Sequence, residues 1–281
     1  MKTKKYFLSF ALVAASIIST YFVTVSTTVQ QAQTQAATTA GTEYQVGAIL
    51  YMQKAAEYRA LCFQAFNLAQ MSLDIDDKAK KKLPKAERRK PRAVVVDIDE
   101  TLLDNSPAQA VQVKSRLPFI QEKWTQWVLM KKAKAIPGAV DFLKYAVSRG
   151  ARVFYVSNRL EVEKQATIEN LKAVGFPDVS DETLMIKTTE SSKEARRQLI
   201  MQKYRIALLI GDNLDDLSNV FERKPIAERF AETEKARTEF GRRFIVLPNA
   251  MYGTWENAIY EYGRLNDPQK VAKRSEALET Y

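Results

Sequence analysis

Six side chains of this 281-residue chain have the types and the order that phosphoryl transfer requires. Asp97 and Asp99 end the run Ala93-Val94-Val95-Val96, and Ser157 follows Val153-Phe154-Tyr155-Val156. Lys193 lies in a helical stretch, and Asp212 and Asp216 follow Ile206-Ala207-Leu208-Leu209-Ile210-Gly211. Residues i and i+2 of an extended chain point the same way, so the Asp97 and Asp99 carboxyls converge on one small volume. Two acids forced together need a proton or a cation, and Mg²⁺ prefers oxygen ligands while keeping several waters. Phosphoryl transfer needs a nucleophile, an acid and base for the leaving oxygen, and fixed positive charge. Asp97 has the carboxylate to attack phosphorus, and Asp99 to protonate the leaving alkoxide and then deprotonate water. Ser157, with the Asn158 amide beside it, has the hydroxyl to hold a phosphate oxygen, and Lys193 supplies charge against the phosphoryl group. Asp212 completes a site for one Mg²⁺ with Asp97 and the Asp99 main-chain carbonyl. Asp216, one helical turn on, orients the metal waters or Lys193 from behind.

Singly, each of these residues has a plainer reading: a strand-end hydroxyl, a surface lysine, a helix N-cap aspartate. Their succession in one chain is what carries weight. The sequence holds no histidine, which removes histidine phosphatases, Ser-His-Asp hydrolases and the usual zinc sites. Its one cysteine, Cys62, sits in an apolar helical pattern and reads as a small core residue. A cysteine phosphatase would need an arginine six positions later, where Leu68 stands.

The elements that must position these groups follow from periodicity. The four apolar runs 93–96, 153–156, 206–210 and 244–247 read as strands buried on both faces, as in a parallel sheet. Helices are expected from about Glu43 to Leu73, over 139–148 between Pro137-Gly138 and Gly150, over 161–174 before Gly175, and around Lys193, Arg196 and Arg197. Alternating strands and helices with polar motifs at strand ends predict a Rossmann-like, doubly wound α/β sheet that binds its ligand at the strand C-termini. The segment after Asn105-Ser106-Pro107, with Phe119, Trp124 and Trp127, reads as a small helical cap inserted into one domain running from 41 to 281.

Lys2, Lys4 and Lys5 precede an apolar run from Tyr6 to about Val25 and a polar stretch. This is the layout of a secretory signal over residues 1–36, with two candidate cleavage sites and an uncleaved membrane anchor as the alternative. The formal charge of +10 suits anionic substrates or envelope polymers, and no motif for a nucleic-acid polymer is present.

The strings DIDETLLDNSP, FYVSNR, GDNLDD and LPNAMYGTW resemble the bacterial class C acid phosphatases of the haloacid dehalogenase superfamily, whose four-aspartate signature matches Asp97, Asp99, Asp212 and Asp216. The resemblance spans about Gly47 to Tyr262 and implies a secreted or surface-attached, Mg²⁺-dependent acid phosphatase working through an aspartyl-phosphate on Asp97. It also implies a homodimer and small phosphomonoester substrates such as nucleoside or nicotinamide monophosphates. Trp124 and Tyr252, read alone, are either lid packing or two faces that sandwich a planar base; the resemblance implies the sandwich. Asn105 is expected to help close the pocket over the phosphate, and Trp127 and Trp255 to pack. The chain departs from many relatives in having no lipid-accepting cysteine after the apolar run, so it is not read as a lipoprotein. Two other readings are a surface binding or adhesion protein with a vestigial site, and a phosphotransferase to alcohol acceptors.

Overall fold

The computed structural model describes residues 42–281; the expected signal segment lies outside the described residues. Among these no helix is long and apolar enough to cross a membrane. The described chain falls into two compact units. The smaller holds 42–43 and Leu265–Tyr281, with a helix Asp267–Glu276 begun by reciprocal capping between Asn266 and Gln269. The larger, Tyr44–Arg264, carries all the residues of chemical interest.

Its strands are β1 (Arg92–Val96), β2 (Leu103–Asp104), β3 (Lys134–Ala135), β4 (Arg152–Val156), β5 (Leu184–Met185), β6 (Arg205–Gly211) and β7 (Phe244–Val246). Five form one parallel sheet in the order β5-β4-β1-β6-β7. The expected Rossmann-like architecture is therefore present, with β1 at the centre. Alternation along β1 divides its side chains between two cores. Val94 and Val96 face the helix Ala56–Ala79 through Tyr58, Cys62, Phe66, Ala69 and Leu73, while Ala93 and Val95 face the layer containing Ile200, Leu217 and Phe221. The helical spacing of that first set makes one buried stripe, and truncating Phe66 to alanine would cost about 3–5 kcal/mol. Cys62 is fully buried there, as read from sequence.

Two short elements escape the periodicity. β5, at the sheet edge, is only two residues long. β2 and β3 pair antiparallel, Leu103 with Ala135 and Asp104 with Lys134, as a flap over the end of β1. The flap leads into the helices Ser106–Lys114 and Gln121–Met130, which form the expected helical cap.

Candidate active site

β1 delivers Asp97 to the C-terminal edge of the sheet, where its N–H donates to Ile210 O at 2.9 Å and so locks the loop to β6. The chain then turns sharply. Leu102 and Leu103 N–H both donate to Ile98 O, at 2.8 and 2.9 Å, and Glu100 takes the left-handed φ of 60° that the turn demands. The Glu100 side chain folds inward, fully buried, and accepts the Asn105 N–H at 2.8 Å through Oε1. Its Oε2 is buried without a hydrogen-bond partner. Burial, with the charges of Asp99 and Asp212 nearby, raises its pKa well above the ordinary glutamate value. Glu100 ties the turn, and its burial favours the neutral acid.

β6 ends in Gly211, at a point where any Cβ would collide with the Asp216 side chain. Glycine there lets Asp216 fold back over the strand end. Asp216 Oδ2 accepts the Asn213 N–H at 3.0 Å, the capping bond of the short helix Leu214–Leu217, and Oδ1 lies 2.7 Å from Lys193 Nζ. Lys193 also contacts Asp97 Oδ1 directly. It stands one residue ahead of the helix Glu194–Lys203 rather than within it. Thr101 Oγ1 bridges the two strand ends, 3.3 Å from Asp97 Oδ2 and 3.0 Å from Asp212 Oδ1. Asn249, after β7, donates to Asp212 Oδ2 at 2.8 Å.

Asp97, Asp212 and Asp216 each offer an oxygen within 4.8 Å of the others. Three carboxylates, Asp97 buried and Asp212 and Asp216 half-buried, face one ammonium, and the imbalance shows in their proton affinities. Burial raises Asp97 well above the usual range, and the charges of Asp216, Asp212 and Asp99 add to it against the opposing Lys193. Burial and the Asp216 charge push Asp212 up to about 7. Lys193, though burial alone would lower it, is held above its ordinary value by Asp216 and Asp97. The cluster must take up a proton or a cation, and an all-carboxylate set of this size fits a hard divalent ion.

Ser157, fully buried, ends β4 with its N–H on Met185 O at 3.0 Å. Its hydroxyl lies 3.4 Å from Asp99 Oδ2 and accepts the Arg159 N–H at 3.1 Å. The Asp99 side chain turns away from the other three aspartates. Arg159 holds it through Nε at 3.1 and 3.2 Å and Nη2 at 2.7 Å, and Asn105 Nδ2 donates to it at 2.9 Å. Asn105, expected to close over phosphate, is thus fully buried and spent on Asp99. The Asn158 side chain is exposed and joins loops: its Oδ1 accepts from Arg196 at 2.7 Å and its Nδ2 donates to Ser191 O at 2.9 Å. Arg196 in turn donates to Ser157 O at 2.6 Å, bracing the strand end.

Trp124, half-buried on the cap helix, has the Arg159 guanidinium carbon 5.9 Å from its ring centroid and Phe119 stacked at a tilt, 6.4 Å away. It lines an apolar cavity of about 410 Å³ with Trp127, Phe119, Ile120 and Met130 that none of the four aspartates touches. Tyr252, half-buried, leans on the main core from the loop after β7. Trp127, read as packing, also donates Nε1–H to Asn105 Oδ1 at 2.8 Å. Sequence reasoning missed Arg159, Thr101, Asn249 and Glu100. FYVSNR and DIDET contain three of them beside the chosen residues, but nothing in a string says that an arginine at a strand end turns inward.

A sequence profile described as HAD superfamily, subfamily IIIB (acid phosphatase), matches residues 10–255. The fold is similar to that of the class C acid phosphatase from Bacillus anthracis, with a TM-score of 0.80 and 38% identity over 86% of this chain and 99% of that one. A second structure of that enzyme, with tungstate bound, gives 0.79 and 39% over 85% and 98%. Acid phosphatase 1 of Solanum lycopersicum is 29% identical over 130 residues, 44% of this chain and 51% of that protein. The chain spans about half the length of the curated relatives it matches.

Proposed function

The chain belongs to subfamily IIIB of the HAD superfamily, the acid phosphatases, and from that premise we propose that it hydrolyses small phosphomonoesters through an aspartyl-phosphate on Asp97, with Mg²⁺ bound among the aspartates. One observation carries the reading: the cluster of Asp97, Asp212 and Asp216 around the buried Lys193, at the C-terminal edge of a parallel sheet. Asp97 and Asp212 would hold the ion with Asp216 in reach, and the Asp99 main-chain carbonyl is the further ligand implied by the resemblance. When bound, the ion would neutralise the carboxylates and the phosphate charge.

The chain's own residues supply the rest. Lys193 favours the ionised form of Asp97, orients it and meets the incoming phosphoryl oxygens. The Ser157 hydroxyl is the strand-end donor for a phosphate oxygen. The tungstate in the Bacillus anthracis structure, a tetrahedral oxyanion, supports an oxyanion site in the same fold. Asp99, with a carboxylate set apart from the cluster, protonates the leaving oxygen and then takes the proton of the hydrolytic water. This need for an acid at an alkoxide favours phosphate esters over halide displacement. The Asn158 side chain serves the loop, so its contribution to substrate is structural.

The preferred substrates in this reading are nucleoside or nicotinamide monophosphates, with Trp124 and Tyr252 as the aromatic faces. The N-terminal basic and apolar segment exports the protein to the cell surface or beyond, where it works as a homodimer. The intact set of four aspartates with Lys193 argues against a vestigial binding protein. The deciding experiment is phosphate release from p-nitrophenyl phosphate and a nucleoside monophosphate with Mg²⁺ or EDTA, beside Asp97→Asn. Turnover should vanish in EDTA and fall by on the order of 10⁴-fold or more in Asp97→Asn, with unfolding temperature retained. Activity surviving either change would overturn the assignment, and phosphate appearing on added glycerol would make the protein a phosphotransferase.

A further inference from the structure

Both side chains that grip Asp99 lead back to one cap helix. The Arg159 side chain is 1% exposed and presents Nε and Nη2 to the carboxylate, with its third nitrogen, Nη1, donating to Thr167 Oγ1 at 2.9 Å. Thr167 is fixed by its own bond to Glu163 O at 2.8 Å, and the Trp124 ring covers the guanidinium. On the other side Asn105 gives Nδ2–H to Asp99 and takes Trp127 Nε1–H on its Oδ1. Trp124 and Trp127 stand three apart on the helix Gln121–Met130, and so on one face of it.

The two oxygens of Asp99 are unequally committed. Oδ1 accepts from Arg159 Nε at 3.1 Å, Arg159 Nη2 at 2.7 Å and Asn105 Nδ2 at 2.9 Å. Oδ2 has only the long contacts, 3.2 Å from Arg159 Nε and 3.4 Å from Ser157 Oγ. Oδ1 is the anchored oxygen and Oδ2 the one left to exchange a proton. A planar guanidinium fork sets the plane of a carboxylate in a way that a lysine ammonium does not.

We propose that Arg159 is a positioning residue for the proton transfers of this site, and that Trp124 through Arg159 and Trp127 through Asn105 make the cap helix the element that places Asp99. This rests on the role of Asp99 in the proposed function. In the first step Asp97 attacks phosphorus, and the bond from phosphorus to the leaving oxygen breaks with its electron pair going to that oxygen. The oxygen takes the proton from Asp99 Oδ2. In the second step water attacks phosphorus, the electron pair of the broken acyl-phosphate bond returns to Asp97, and the water proton goes to Asp99 Oδ2. Both steps need Oδ2 in one place, and the two arms hold it there.

The test is kcat/KM over a series of phosphate esters that carry no nucleobase, from p-nitrophenyl through phenyl to simple alkyl, for wild type, Arg159→Lys, Arg159→Met and Trp127→Phe. This ratio reports the reaction only as far as departure of the leaving group. Because a positioned acid contributes about 10²–10⁴-fold and matters least for a good leaving group, Arg159→Met should lose at least about tenfold more on phenyl and alkyl esters than on p-nitrophenyl phosphate. Trp127→Phe, which keeps an aromatic side chain of smaller size and deletes the N–H donor, should shift the same way by less. Arg159→Lys should fall between, with its charge kept and its fork lost. An equal loss across the series in the variants that fold would overturn the proposal, because a structural or phosphate-binding role is blind to the leaving group. A wild type inert to every ester would sink the proposed function instead. If Arg159→Met does not fold, Arg159→Lys and Trp127→Phe decide the matter alone.

Discussion

Replacing Lys193 by methionine keeps the aliphatic stem and deletes the one ammonium that faces Asp97 and Asp216, from a side chain only 6% exposed. Removing one partner of a buried ion pair costs about 3–5 kcal/mol, because the remaining charge is left uncompensated. At about 2–4 °C per kcal/mol for a domain of this size, the unfolding temperature in EDTA at pH 8 should fall by roughly 6–20 °C. The loss must depend on pH, and its sign is fixed. Burial and the neighbouring carboxylates already raise Asp97, with Lys193 the opposing influence, so its removal raises Asp97 further. A carboxyl whose folded pKa lies above its unfolded value contributes stability in acid and loses that contribution as pH rises through the folded pKa. Between the wild-type and the variant folded values of Asp97 the deficit grows with pH, by at most about 1.4 kcal/mol per pH unit. The deficit should therefore be smaller at pH 5 than at pH 8, and saturating Mg²⁺ should recover much of it at pH 8. Thermal unfolding by circular dichroism at the two pH values, with EDTA and with Mg²⁺, measures all four states. An equal drop at pH 5 and pH 8 in EDTA, or no drop at either, would refute the charge argument.

Three further outcomes follow from the same geometry. Asp212, pushed up to about 7, must give up a proton for Mg²⁺ to bind, so apparent Mg²⁺ affinity should fall by about tenfold per pH unit below that value. Calorimetric titration at pH 6 in buffers of different ionisation enthalpy should show proton release, and an affinity flat from pH 5 to pH 8 would contradict it. In the metal-free protein, the Asp212 contribution to stability should be lost as pH climbs from about 4 through about 7, since its folded pKa is the raised one. Tyr252→Ala should raise KM for a nucleoside monophosphate by roughly 5- to 150-fold, the equivalent of about 1–3 kcal/mol of stacking, with p-nitrophenyl phosphate changed by less than about twofold. Equal effects on both substrates would return Tyr252 to packing.

How far the sequence reaches differs between fold and site, for physical reasons. The strands β1, β4, β6 and β7 are legible because a central parallel strand is buried on both faces and reads as an unbroken apolar run. β5 and the β2–β3 flap are not, since two residues at a sheet edge or over a loop carry no period at all. The placement of the candidate groups is legible too: an acid or hydroxyl directly after such a run has only the strand end to occupy.

What the string hides is commitment, meaning which partner each polar group is spent on. Asn105 and Asn158 look alike as loop amides near the chemistry. One is fully buried and holds Asp99, while the other is exposed and ties two loops to Arg196. Arg159 looks like an ordinary cation following Ser157-Asn158, yet the turn at β4 carries it inward and the Trp124 ring covers it. Glu100 sits between the two motif residues Asp99 and Thr101 and is a buried spacer that ties the turn through the Asn105 N–H. These assignments depend on contacts between segments tens of residues apart, 60 positions from Asp99 to Arg159 and 22 from Asn105 to Trp127. Local pattern has no access to such distances. The aspartates and the roles expected of them could therefore be read from the string, while their grouping, three around Lys193 and one held by Arg159 and Asn105, belongs to the fold.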